Sequence, residues 1–205
     1  MRLIFSIAVA AISISLMAWG LWPPARVTHQ QLLLPEQTGL PEARPLRLDF
    51  PAAIRVGEAD RVSLSVETGD PAPAFAPQDI YATDDVLAEA RLDLSGAAIR
   101  PVDVVSEPLL PGQGVTFFWS IRPLEAGRST GTVWFYLRFI PKDGGTERRQ
   151  TLSAQAIEIE TVKFLGLEAE SARWLGLAGV FIASLLGFPF LFGAFQWIWA
   201  KARAN

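Results

Sequence analysis

Residues 115–141, VTFFWSIRPLEAGRSTGTVWFYLRFIP, hold two runs that alternate at every second residue, separated by a segment containing Pro123 and Gly127. Successive side chains of a strand point to opposite faces. The first run therefore places Val115, Phe117, Trp119 and Ile121 on one side and Thr116, Phe118, Ser120 and Arg122 on the other. In the second, Val133, Phe135, Leu137 and Phe139 share the apolar side, leaving Thr132, Trp134, Tyr136 and Arg138 outward. One apolar face per strand is enough to build a core, so Phe118, Trp134 and Tyr136 are surplus to it. If the two strands pair through their connecting segment, the outward residues merge into one patch of Phe118, Arg122, Trp134, Tyr136 and Arg138. Aromatic residues and Arg dominate binding hot spots, which makes the patch a candidate protein interface. A cross-strand aromatic ladder with stacked arginines accounts for the same residues without a partner. A carbohydrate site needs more polar groups aimed at hydroxyls than the Thr and Arg of this face supply.

The two-residue period recurs upstream. Leu46, Leu48 and Phe50 share a face, as do Val62, Leu64 and Val66, and then Ala90, Leu92 and Leu94. Further strands are expected within 99–106 and 146–162. Gly, Pro and Asp clusters such as EPLLPGQG and PKDGG punctuate these runs, and about seven short strands at such spacing predict an antiparallel, immunoglobulin-like β-sandwich over residues 46–162. Trp119, Ile121, Pro123 and Gly127 form a W-x-[IV]-x-P-x-x-x-G segment. It resembles a segment of bacterial membrane-anchored β-sandwich modules, and the resemblance implies a role in interaction or architecture.

Apolar segments flank this domain. Residues 3–22, LIFSIAVAAISISLMAWGLW, carry no charge, and twenty helical residues span about 30 Å, one hydrocarbon thickness. Bulky Trp stands where a cleavage site requires small residues, so residues 1–22 read as an uncleaved signal anchor. Residues 174–200 carry no charge, and Gln196 is their most polar side chain. As a helix of about 40 Å they exceed the bilayer core and are expected to tilt, or to bend at Pro189. The proline-rich residues 23–45 read as an extended tether, residues 163–173 as a connector and residues 201–205 as a tail. The ends carry Arg2, Lys201 and Arg203 but none of the 21 acidic residues. The positive-inside rule then puts both termini in the cytoplasm and the β domain outside it, and the resemblance implies that the membrane is a bacterial inner membrane. On that topology Trp19, Trp22 and Trp174 fall at the outer interface and Trp197 and Trp199 at the inner one, as aromatic belts require. Gly176, Gly179, Ala183 and Gly187 recur every three or four residues and form a stripe for close helix packing, against either the first helix or a foreign one.

Little in the chain carries chemistry. Cysteine is absent, which removes disulfides and thiolate metal sites. His29 is the one histidine, too few for a zinc site, and its place in the tether is poor geometry for a serine nucleophile. Asp84 and Asp85 with Asp79 offer oxygens for calcium, but their spacing matches no calcium loop. Hydrolase, phosphate-loop and dinucleotide motifs are missing, and a net charge of −3 argues against nucleic acid. The expectation is a chain without catalytic residues, metal or cofactor, whose partners are lipid and other integral membrane proteins. The function expected is a non-catalytic accessory subunit of a larger bacterial inner-membrane complex, docked through its helices, in a layout similar to that of supernumerary subunits of photosynthetic or respiratory complexes. The alternative is a stand-alone envelope sensor or ligand-binding receptor, carbohydrate included. Phe181 and the phenylalanines that follow it suit lipid, pigment, quinone or helix contacts equally.

Overall fold

The computed structural model describes residues 2–69, 80–163 and 166–202, with side chains described for residues 4–69, 80–163 and 166–186. In chain order the elements are α1 (Arg2–Leu21), β1 (Arg26–Leu33), α2 (Pro35–Thr38), β2 (Arg44–Pro51), β3 (Ala53–Arg55), β4 (Asp60–Val66), α3 (Ile80–Thr83), β5 (Asp84–Leu94), β6 (Ala97–Arg100), β7 (Val105–Pro108), β8 (Val115–Pro123), β9 (Gly127–Pro141), β10 (Arg148–Val162) and α4 (Ala169–Ala202). They fall into two compact units, one containing α1 and α4 and one spanning Pro24–Val162.

The second unit is built from two five-stranded sheets, ordered β1-β2-β4-β8-β6 and β3-β10-β9-β5-β7. Pairing is antiparallel apart from β3 beside β10. Period-two alternation turns the apolar residues of both sheets toward each other. Leu46, Leu48, Val62, Leu64, Phe117, Trp119 and Ile121 of the first sheet are at most 1% exposed, as are Val133, Phe135 and Leu137 of the second. The rings of Phe117 and Phe135 meet across the layers with centroids 6.5 Å apart. Burying each such large side chain stabilises the fold by about 1.5–3 kcal/mol.

The structure corrects three expectations. Ten strands, not about seven, are present among the described residues. The expected tether is part of the β domain, because residues 26–33 pair with β2 as an edge strand, His29 opposite Leu48. Its polar sequence, RVTHQQLL, fits a strand with one neighbour and much exposed surface. Third, β8 and β9 do not pair. β8 lies between β4 and β6, and β9 between β10 and β5. Pro123 ends β8, and Gly127 opens β9 at φ 142°, a conformation that favours glycine. Between these two residues the chain leaves one sheet for the other.

A charged cluster closes one part of the domain. Arg44 is 0% exposed and Glu42 8%. The guanidinium is ion-paired with Glu42 and donates to the backbone carbonyls of Gln113 at 2.6 Å and Leu110 at 3.0 Å. It thereby ties the loop before β8 to the start of β2. Removing one partner of a buried pair leaves the other charge uncompensated. Arg44→Met should accordingly destabilise the β domain by about 3–5 kcal/mol, read as a lower urea midpoint in circular dichroism. Adding Glu42→Gln should recover part of the loss.

In the first unit α1 and α4 run antiparallel. The Ser6 hydroxyl donates to the Ala183 carbonyl at 2.9 Å, and Gly176 abuts the backbone of Ser13 and Met17. At the far end the Arg173 Nε donates to the Gly20 carbonyl at 2.8 Å, satisfying one of the acceptors that a helix C-terminus leaves open. Buried positions recur at Ser6, Ser13 and Gly20 on α1 and at Ala169, Ala172, Gly176 and Ala183 on α4, the near-heptad spacing of two helices packed along their length. Ile4–Leu21, with mean hydropathy 2.1, and Ala169–Leu186, with 1.3, are long and apolar enough to cross a membrane. α4 starts at Ala169, inside the expected connector, and runs as helix through Pro189. A Cβ on Gly179 would stand 2.0 Å from the Ser13 hydroxyl. Gly179→Leu should therefore weaken the pair by about 1–3 kcal/mol. In a chain without native cysteine, this reads as a several-fold loss of cross-linking between cysteines introduced at positions 6 and 183.

Candidate functional site

The strand crossing decides where the outward aromatics lie. Phe118 and Arg122 stand on the outer face of the first sheet, whereas Trp134, Tyr136 and Arg138 stand on the outer face of the second. The single five-residue patch expected from pairing β8 with β9 is thus two surfaces on opposite faces of the domain.

On the second sheet the Trp134 and Tyr136 rings stack, 6.4 Å between centroids and 10° between planes. The Arg149 guanidinium carbon lies 4.0 Å from the Tyr136 centroid. Arg149 also meets Glu89 at 2.7 Å, and Arg138 reaches the same carboxylate at 3.6 Å while pairing with Glu147. Glu89 is only 4% exposed, so its charge is matched by two guanidinium groups. The hydrogen bond and charge of Glu147 push the Arg138 pKa further above its ordinary value. Together these groups make an internally paired lattice under two half-buried rings. Glu89 is out of phase with the core residues Ala88 and Ala90, whereas Arg149 shares the parity of Ile157 and Ile159 and is turned outward by the register shift between Thr151 and Ser153, which alternation alone does not reveal.

Around Phe118 the first sheet offers something different. Phe118 is 50% exposed, with the Arg61 guanidinium 5.1 Å from its ring centroid. Ser63 lies opposite it and Ser120 opposite Arg61 across the β4–β8 ladder. These four residues, with Arg26, Asp49 and Asp60, line an open cavity of about 610 Å³. Arg26 holds both carboxylates, pairing with Asp49 and reaching Asp60 at 3.2 Å, and the Thr28 hydroxyl donates to Asp49 at 3.0 Å. Partial burial by itself raises the Asp49 pKa. Hydrogen bonds from Arg26 and Thr28 and the charges of Arg26 and Arg47 outweigh that effect and hold it below the usual carboxylate value. Outward Asp49 was legible as a polar position, but its neighbours across β1 were not.

The remaining candidates are placed plainly. His29 rests edge-on against Phe50 at 5.2 Å. Asp84 takes a 2.6 Å hydrogen bond from Thr83 and lies 4.0 Å from Arg148, while Asp85 lies 3.7 Å from Lys142. Asp79 lies outside the described residues. Among those described, no three His, Cys, Asp or Glu residues are grouped to hold a metal ion. Gly176, Gly179 and Ala183 face α1; the side chain positions of Trp197 and Trp199 and the surroundings of Gly187 lie outside the described residues. Trp22 and Trp174 are exposed and Trp19 half-buried, all toward the end of the helix pair where α1 finishes and α4 starts.

No protein-family model and no curated protein sequence matches the chain. Among solved structures, it is similar to AggA, the major subunit of aggregative adherence fimbriae type I from Escherichia coli, at 16% identity. That match covers 68% of this chain and 95% of the fimbrial one, with a TM-score of 0.31.

The depressed Asp49 pKa sets a pH dependence. A carboxylate whose pKa is lower folded than unfolded contributes its full stabilisation above the unfolded value of about 4. The contribution is lost as pH falls through the folded value. Asp49→Asn should lower stability at neutral pH and flatten the acid limb below about pH 4 in thermal unfolding monitored across pH.

Proposed function

We propose that this chain is a non-catalytic accessory subunit of a larger bacterial inner-membrane complex, photosynthetic or respiratory. Its two helices cross the membrane, and an immunoglobulin-like sandwich braces the extracytoplasmic face. The observation that carries this reading is the α1–α4 pair. Its small residues are used against each other, so bulky apolar side chains point outward, among them Phe5, Ile12, Trp174, Phe181 and Leu185, each more than half exposed. One span would tether a domain. A second span packed on the first widens the apolar wall that it offers to neighbouring transmembrane helices. α4, at 34 residues, is about 51 Å long, beyond the roughly 30 Å hydrocarbon core, so it spans with its charged ends outside the core and with tilt. Antiparallel packing brings the start of α1 and the end of α4 to one side, with Arg2 and Lys201. That supports a cytoplasmic location for both ends. The Trp134–Tyr136 pair supplies the extracytoplasmic contact.

A second reading, a membrane-anchored receptor, is favoured by the cavity beside Phe118.

Extraction of native membranes with mild detergent, native separation and mass spectrometry tests the first reading. The chain should comigrate with a defined large complex and dissociate from it when Trp134 and Tyr136, or Phe181 and Leu185, become Ala. Migration at its own 22.4 kDa plus detergent overturns it.

A further inference from the structure

We propose that the cavity on the outer face of the first sheet binds a neutral oligosaccharide, with one sugar ring stacked on Phe118. Among the described residues Phe118 is the one aromatic side chain that lines the cavity, with Ala59 the other apolar one and Ser63, Ser120, Arg26, Arg61, Asp49 and Asp60 around them. A ring with hydroxyl, carboxylate and guanidinium groups at its rim fits a ligand with one apolar face and hydroxyls around its edge. A pyranose ring has that form: its C–H groups lie over the negative face of an aromatic ring, and its hydroxyls both donate and accept.

Charge narrows the class further. Two guanidinium groups, Arg26 and Arg61, face two carboxylates, Asp49 and Asp60, and Arg26 already engages both acids. The lining residues balance in charge and keep fixed donors and acceptors, while Arg47, Arg100 and Arg122 stand on the same face outside the cavity. The Ser63 and Ser120 hydroxyls add groups of both kinds. Pairing with Arg26 also holds Asp49 and Asp60 in place before any ligand arrives, which limits the ordering cost of binding. The volume of about 610 Å³ falls within the range of small-ligand sites, and the open shape suits a chain that passes across the strands. This inference rests on the receptor reading and is independent of the accessory-subunit reading.

The test uses the full chain in lipid nanodiscs, free of sugar-headed detergents, titrated calorimetrically with maltohexaose, cellohexaose and chitohexaose. At least one should bind saturably. Phe118→Ala and Ser120→Ala should each weaken it by about tenfold or more, while Thr132→Ala, on the other sheet, should leave it unchanged. An unaltered melting temperature for the Phe118 and Ser120 variants shows that their folding is intact. Absence of binding by all three probes at about 10 mM, or binding that survives Phe118→Ala, overturns the proposal. A protein that binds this face through Phe118 while no sugar does also overturns it, and leaves the receptor reading standing. Comigration with a large complex is measured separately and does not depend on any of these results.

Discussion

The contact between Phe117 and Phe135 is the interaction on which the β domain depends. The two rings lie on strands adjacent in the chain, yet they meet across the layers instead of along a sheet. They do so because the chain changes sheet between Pro123 and Gly127. The change supplies both inner faces at once, with Trp119 and Ile121 on one side and Val133 and Leu137 on the other. β8 and β9 each then gain ladder partners from distant parts of the sequence. Long-range pairing of this kind is slow to form.

Much of this was legible in the sequence, because side-chain alternation is a local property. The inward sets of β2, β4, β5, β8 and β9 follow from period two and lie where that period puts them. Pairing partners are not local. A short segment rich in turn-forming residues serves a hairpin or an arch between layers, and alternation is the same in both. β1 was hidden for a related reason: an edge strand with one neighbour keeps many exposed polar residues, and its proline-rich flanks suggest an extended tether. Arg44 was hidden because a charged residue reads as solvated unless its partners are known, and those partners come from residues 42, 110 and 113.

The candidate site shows the same division. The exposure of Phe118 could be read from its phase in β8, but its company could not. Sequence spacing grouped it with Trp134 and Tyr136, whereas the fold groups it with Asp49, Asp60 and Arg61 from strands far back in the chain. The two settings differ in kind: stacked rings over a matched ion-pair lattice on one sheet, a single ring in a polar hollow on the other. Among the helices, the glycine stripe was readable as a packing surface, and only the structure identifies α1 as what packs on it.

Splitting the aromatics between the two outer faces gives the domain a defined thickness. Packed sheets lie about 10 Å apart, and outward side chains add to that on both sides. The Phe118 face and the Trp134 face are thereby held apart by the packed core. The β domain is in this sense a ruler: the distance between its two outer faces is set by the core.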